Sequence, residues 1–388
     1  MQNLNQDKMN NGTEVRGTSQ NIGVNLNLTG IAKDILTALA PKSRAVLEMR
    51  FGLIDDEPKT LEAIGKTYHI TRERVRQIEN NALALIDKKE RPLDWKKFEE
   101  ISLAILKNSG GAMESERFYK ALAEELEAPK SVKRIGNFAR FFLKLSANVY
   151  QEKETDNYYN YWHLQHDDSF YRKDYESFIK KVVEKLQQVG EPMPFESLYN
   201  IAKNWRENLS LENLSSYCFI SKQVQRNPFN EYGLAKSYEI KPRGVKDRAY
   251  AIMKHIKKPL HFSEISKLIN EPIAINVSGE YIWNDNGGSN LWKRNIQVQT
   301  VHNELIKDKR FVLVGRGIYA LTQWGYQPGT VKQVLQKILS EAKTPLTLEE
   351  VIVKVKEQRV VKDNTILLNL QNKKYFLKTE DKRYTLKK

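Results

Sequence analysis

Arg72, Glu73, Arg76 and Gln77 are the residues of this chain whose types and spacing carry the most specific chemistry. In the stretch Thr71-Arg72-Glu73-Arg74-Val75-Arg76-Gln77-Ile78-Glu79, a helical period puts Val75 and Ile78 on one face and these four on the opposite one. Arg can grip guanine through two acceptors, Glu can accept from cytosine N4, and Gln can pair with adenine. The set therefore suits a DNA major groove. A solvated helix of alternating charge has the same sequence pattern, so the elements around it must decide.

Those elements are short and well punctuated. Thr71 is placed to cap the reading helix, its hydroxyl accepting from a backbone N–H one turn on. Lys59-Thr60-Leu61-Glu62-Ala63-Ile64-Gly65-Lys66-Thr67-Tyr68 forms a preceding helix, and His69-Ile70 a tight turn between the two. If that turn is left-handed, His69 must adopt a conformation that glycine adopts more easily, although His is among the more tolerant side chains.

This stretch, with the preceding Pro41-Lys42-Ser43-Arg44-Ala45-Val46-Leu47-Glu48-Met49-Arg50-Phe51-Gly52-Leu53 and the following Ala82-Leu83-Ala84-Leu85, closely resembles region 4 of sigma-70 family transcription initiation factors. The resemblance spans roughly residues 30 to 90. It implies a helix-turn-helix that reads a promoter element and leans on the RNA polymerase flap. It places base contacts at Arg72, Glu73, Arg76 and Gln77, and phosphate contacts at Lys59, Thr60 and Arg74, with Thr71 beside them at the helix start. The turn departs from the family by having His69 where glycine is usual. Nothing in the sequence resembles the aromatic-rich segment with which these factors melt promoters, or their main polymerase-binding helix pair. The expectation is a factor without the promoter-melting parts.

Composition sets the outer bounds. At 388 residues the chain is long enough for several domains. Its 40% hydrophobic and 29% charged content is that of globular material, and no apolar run approaches the ~20 residues of a membrane span. Residues 1–27 are rich in Asn and Gln, lack a secretory apolar run, and read as a disordered arm. The single cysteine, Cys218, excludes an internal disulfide or a cysteine-based zinc site, and a reducing cytoplasm is the simplest setting. His163 and His166 are close in sequence, but no third ligand completes a metal set, so no metal or other cofactor is expected.

The net charge of +15 is unevenly spread. Residues 241–388 hold 28 Lys and Arg against 14 Asp and Glu, while residues 1–240 hold 35 against 34. A positive field confined to the C-terminal part attracts phosphate backbones irrespective of sequence, although lysine-rich surfaces also serve solubility alone.

After residue 91 one small plan recurs four times. Each copy opens with an amphipathic helix, continues through an apolar signature into a second helix, and closes on an aromatic strand with a Tyr shortly before a Leu. The signatures are Met113 with Phe118-Tyr119, Met193-Pro194-Phe195, Leu260-His261-Phe262, and Leu346-Thr347-Leu348. The closing strands are Tyr161-Trp162-His163-Leu164, Tyr232-Gly233-Leu234, Tyr319-Ala320-Leu321 and Tyr384-Thr385-Leu386. Ser263 and Thr347 are expected to start helices in the third and fourth copies. Residues 310–314 and 317–321 read as a hairpin turning at Gly315-Arg316-Gly317. Three helices with a two-stranded wing is the winged-helix plan.

The third copy, over about residues 243–326, resembles the HARE-type winged helix of the bacterial RNA polymerase delta subunit. It carries an insertion, Ile273 to Gln297, where Trp283, Trp292, Lys293 and Arg294 admit two readings: a nucleic-acid contact or a tryptophan-packed cover.

The expected architecture is mainly α: an arm (1–27), a region 4-like helix-turn-helix (28–91), winged-helix-like units (92–165 and 166–241), a HARE-type winged helix (242–328) and a last winged-helix unit (329–388). The expected function is sequence-specific duplex-DNA binding in transcription, with RNA polymerase as partner and Lys293, Arg294 and Arg316 as additional nucleic-acid contacts. The alternative is an interaction scaffold whose winged helices dock on polymerase or another protein without reading bases; the near-neutral charge of residues 92–240 favours protein contact there. No phosphate-binding GxxxxGK[ST] loop, clustered nuclease carboxylates or activated nucleophile points to an enzyme.

Overall fold

The computed structural model describes residues 26–164, 172–270, 274–275, 281–282, 295–326 and 328–387. Sixteen helices and several small antiparallel sheets lie among them, so the fold is mainly helical. The chain divides into two compact units: Met1–Thr155 with Tyr159–Tyr171, and Asp156–Tyr158 with Arg172–Lys388.

The first unit begins with four helices: α1 (Leu28–Leu36), α2 (Pro41–Phe51), α3 (Leu61–Tyr68) and α4 (Arg72–Asp87). Proline at the first position of α2 loses no helical hydrogen bond, and Gly52 ends the helix in the left-handed conformation. A side chain at Gly52 would collide with the backbone of Glu57 and Pro58. Thr60 and Thr71 cap α3 and α4, accepting from Ala63 N and Arg74 N at 3.1 Å each. The turn between these helices is left-handed at His69 (φ 54°), as the missing glycine requires. Gly65 makes the close approach possible, because a Cβ there would lie 2.7 Å from the Ile70 carbonyl oxygen. Val46, Ile64 and Val75 form the small core that fixes α2, α3 and α4 together, with Leu61, Ile70 and Ile78 packed around it.

A second, larger core does not stop at the end of α4. Ile31, Leu36, Leu47, Phe51, Ala82 and Ile86 pack in one apolar cluster with residues of the following repeat. That repeat comprises α5 (Leu93–Asn108), β1 (Ala112–Glu114), α6 (Ser115–Glu125), α7 (Val132–Leu143), β2 (Val149–Glu152) and β3 (Tyr161–Leu164). Phe138, Phe141 and Phe142 on α7 are fully buried, and the Phe51 and Phe141 rings lie 5.3 Å apart. Burying one such ring stabilises by about 1.5–3 kcal/mol. Helix α4 and the first repeat are therefore parts of one folded body.

The plan of that repeat recurs in the second unit. There the elements are α8 (Arg172–Val189), β4 (Met193–Pro194), α9 (Phe195–Ala202), α10 (Leu211–Ile220), β5 (Val224–Arg226) and β6 (Glu231–Leu234). Next come α11 (Val245–Ile256), β7 (Leu260–His261), α12 (Phe262–Asn270), the pair β8 (Ala274–Ile275) and β9 (Tyr281–Ile282), α13 (Val298–Lys307), β10 (Phe311–Gly315) and β11 (Ile318–Leu321). The last repeat has α14 (Val331–Glu341), α15 (Leu348–Gln358), α16 (Asp363–Leu370), β12 (Phe376–Lys378) and β13 (Tyr384–Leu386).

In each repeat the closing strand lies between the strand before it and the signature residues: β1-β3-β2, β4-β6-β5 and β10-β11-β7, with a single bridge from Leu346 to Tyr384 in the last. The register is the same each time. Met193 faces Tyr232, Leu260 faces Tyr319 and Leu346 faces Tyr384. In the first repeat Met113 faces Trp162, so Trp162 and not Tyr161 is the equivalent aromatic residue.

The two helices expected to begin at hydroxyl residues start differently. Thr347 caps α15 in a full capping box with Glu350, as expected. Ser263, by contrast, lies inside the first turn of α12, where its backbone N–H donates to the His261 ring nitrogen at 3.3 Å. The hairpin of the third repeat turns at Gly315-Arg316-Gly317 with Gly317 left-handed, as the sequence predicts.

The α3–α4 turn yields a test with opposite signs at two positions. Gly65→Ala drives a methyl onto the Ile70 carbonyl and is expected to cost about 1–3 kcal/mol. His69→Gly relieves a left-handed L-residue and is expected to stabilise by about 1 kcal/mol. Thermal unfolding of the intact protein should show Tm falling for the first and rising for the second; two shifts of one sign would contradict this turn geometry.

Candidate nucleic-acid interface

The α3–α4 pair presents Arg72, Glu73, Arg76 and Gln77 on one exposed surface, while Val75 is fully buried beneath them. The sequence placed all four on the outward face, and the structure brings them together there. Two of them are already paired. Arg76 donates to Glu73 through Nε at 2.9 Å and Nη2 at 2.7 Å, a bidentate fork along one helical turn. Arg74 Nη1 donates to Gln77 Oε1 at 3.1 Å. Hydrogen bonding from Arg76 is the main reason the Glu73 carboxyl titrates below the usual range, and the nearby Arg72 charge adds to it. The same bond pushes the Arg76 pKa up. Glu73 also sits in the first turn of α4, where a negative charge complements the helix dipole.

This pairing has a chemical consequence. A guanidinium presents its donors in a plane, so the fork orients Arg76 while leaving some of its N–H groups for a base edge. The amide of Gln77 accepts from Arg74 through its oxygen and hydrogen-bonds to Glu73 through its nitrogen, which leaves one N–H for a base edge.

The expected backbone contacts flank this surface. Thr60 and Thr71 are exposed and use their hydroxyls as acceptors in capping, which leaves each hydroxyl proton free to donate to a phosphate. Lys59 is part-exposed, 3.8 Å from Asp55, and Arg74 is exposed beside Gln77. Arg316 is exposed at the tip of the β10–β11 hairpin. Lys293 and Arg294 lie outside the described residues, as do His166 and most of the insertion from Ile273 to Gln297.

Sequence reasoning overlooked the support behind the helix. Glu79, on α4, is 5% exposed, and its carboxylate accepts from Arg50 Nε at 3.3 Å and Lys144 Nζ at 3.0 Å. Arg50 Nη1 also donates to the Lys59 carbonyl at 3.0 Å, fixing the loop ahead of α3. A signal for part of this existed: a carboxylate at the margin of a buried helical face needs a cation. Nothing local points to Lys144, 65 residues away.

Other candidate chemistry is sparse. Burial pushes the Cys218 thiol up to about 12, which keeps it protonated at neutral pH. Among the described residues there is no group of three or more His, Cys, Asp and Glu placed to hold a metal ion, and no helix is long and apolar enough to cross a membrane.

Residues 35–86 match the family described as sigma-70, region 4. Over 49 residues the chain is 53% identical to the RNA polymerase sigma factor SigA1 of Synechococcus elongatus, covering 13% of this chain and 12% of that protein. It is 54% identical over 52 residues to the RNA polymerase sigma factor RpoD of Helicobacter pylori, covering 13% and 8% respectively. The chain thus spans about an eighth or less of the length of these relatives. The matched segment contains α2, α3 and the four exposed residues of α4, and it supports sigma-like DNA binding by a helix-turn-helix.

The Glu73–Arg76 fork predicts a titration. A carboxyl whose pKa is depressed on folding lends its stabilisation above the ordinary glutamate pKa and loses it as pH falls through the depressed value. NMR of the Glu73 side-chain carboxyl should give a midpoint below that of an ordinary glutamate, and Arg76→Ala should move it upward. An unchanged midpoint in the variant would remove Arg76 as the cause.

Proposed function

We propose that this protein is a sequence-specific DNA-binding transcription factor built around a region 4-like helix-turn-helix. Arg72, Glu73, Arg76 and Gln77 read base edges in the major groove; Lys59, Thr60, Thr71 and Arg74 hold the phosphate backbone. The observation that carries the reading is the exposure of these four base-reading groups on one face of a capped helix, inside the segment matched to sigma factors.

The four repeats are winged-helix units, and the third, over about residues 243–326, is of the HARE type. Their shared strand register supports this. The division follows as the helix-turn-helix (28–91) and winged-helix units at 92–165, 166–241, 242–328 and 329–388; the arm expected over 1–27 lies outside the described residues except for Leu26, which packs on the core, and Asn27, which caps α1. The C-terminal units, which carry the positive charge, add salt-sensitive backbone contacts, with Lys293, Arg294 and Arg316 among them. The protein works in the cytoplasm with RNA polymerase and has no catalytic activity.

One observation favours a scaffold role for the second repeat. Its third helix, α10, carries no Lys or Arg and is largely buried, so it offers little to a phosphate backbone.

The test starts from duplexes enriched by the protein from a random pool. Arg72→Ala is expected to cost about 1–3 kcal/mol on the enriched duplex and to relax base choice at one position. Equal affinities of wild type and variant on enriched and scrambled duplexes would overturn base reading. Purified core RNA polymerase should capture the intact protein; failure of capture would withdraw the polymerase partner and leave the DNA reading in place.

A further inference from the structure

The cation that completes the Glu79 site comes from outside the helix-turn-helix. Lys144 directly follows α7, the third helix of the first repeat, and its ammonium reaches Glu79 Oε1 at 3.0 Å while lying 5.7 Å from the centre of the Phe51 ring. Glu79 is one helical turn from Arg76, and its other oxygen faces Arg50, which in turn holds the Lys59 carbonyl. A continuous chain of charge-assisted bonds therefore runs from the first repeat, through the reading helix, to the loop that carries a backbone-contacting lysine.

The rest of α7 reinforces the same joint. The buried Asn137 amide donates to the Gly52 carbonyl at 3.1 Å, where the backbone turns out of α2. Arg134 donates to Asp56 Oδ1 at 3.1 Å and to Thr29 Oγ1 at 3.0 Å. Lys133 pairs with Glu57. These polar contacts join the same helices as the apolar contact of Phe51 with Phe141.

We propose that Lys144 is a positioning residue for base recognition: through Glu79 it sets the pose of α4, so that the first repeat is a working part of the DNA-reading body. The physical reason is the cost of a buried carboxylate. With both cations present each Glu79 oxygen has a partner and α4 is held at two points. With Lys144 removed, Glu79 must recruit water or draw Arg50 away from Lys59, and either response shifts the exposed face of α4 relative to a docked duplex. Small displacements matter there, because bidentate base contacts demand alignment of two hydrogen bonds at once.

This proposal rests on the base-reading assignment above, and the experiment separates the two. Affinities of the intact wild type, Lys144→Met, Lys144→Arg and Arg72→Ala are measured on the enriched and the scrambled duplex. Lys144→Met should lower affinity for the enriched duplex by about two- to 150-fold, the span of coupling between interacting neighbours, with affinity for the scrambled duplex unchanged. Lys144→Arg should restore most of the loss. A partly unfolded variant would bind both duplexes less well in equal proportion, so the ratio distinguishes misplacement from loss of fold. The proposal is overturned if Lys144→Met matches wild type, if it lowers both affinities equally, or if Lys144→Arg is as defective as Lys144→Met. If Arg72→Ala also matches wild type on both duplexes, base reading itself fails and the positioning role falls with it. If only Arg72→Ala shows the loss, base reading stands and Lys144 is ruled out.

Discussion

A carboxylate inside the protein is tolerable only where cations meet it, and Glu79 imposes that condition on three separate segments. Arg50 must leave α2 at the right angle, Lys144 must arrive from the end of α7, and α4 must lie between them. Burying an ion pair gains little net stability over an apolar equivalent, but leaving one partner alone is costly. The arrangement therefore works mainly as a constraint on geometry. The apolar cluster beneath it supplies the cohesion: Phe51, Phe141 and Phe142 bind the helices together, and the ion network fixes the register in which they do so.

The repeats show a different economy. Each folds around the same two-sided junction, in which an aromatic residue of the closing strand lies opposite an apolar residue just ahead of the second helix. Large rings bury much area from one backbone position, so one such pair anchors a sheet only two or three strands wide. What varies is the surface. α7 turns Lys133 and Arg134 toward the helix-turn-helix, α10 has no cation, and the hairpin of the third repeat holds Arg316 out in solvent. One scaffold thus presents several chemically distinct faces.

Much of this was legible in the chain itself. Capping threonines, the outward quartet on α4, the hairpin glycines and the fourfold plan are local signals, set by the few residues on either side. The readings that needed correction turned on competition between neighbours. At the first closing strand both Tyr161 and Trp162 suit a buried strand, and only pairing with Met113 shows which is equivalent to the tyrosines elsewhere. At α12 the His261 ring takes the role that Ser263 was expected to fill. The Lys144–Glu79 and Asn137–Gly52 contacts were out of reach because their partners are 65 and 85 residues apart, and no periodicity encodes such a meeting.

The common core of the helix-turn-helix and the first repeat bears on how this protein can be recombined. A helix-turn-helix that folds alone can be exchanged between proteins as a cassette. Here a cut at residue 91 would part Phe51 from Phe141 and Glu79 from Lys144, exposing apolar surface and stranding a charge on each side of the junction. Grafts that respect the folded body must carry residues 28–164 together. Changes on either side of the joint between α4 and the repeat behind it must be matched on the other.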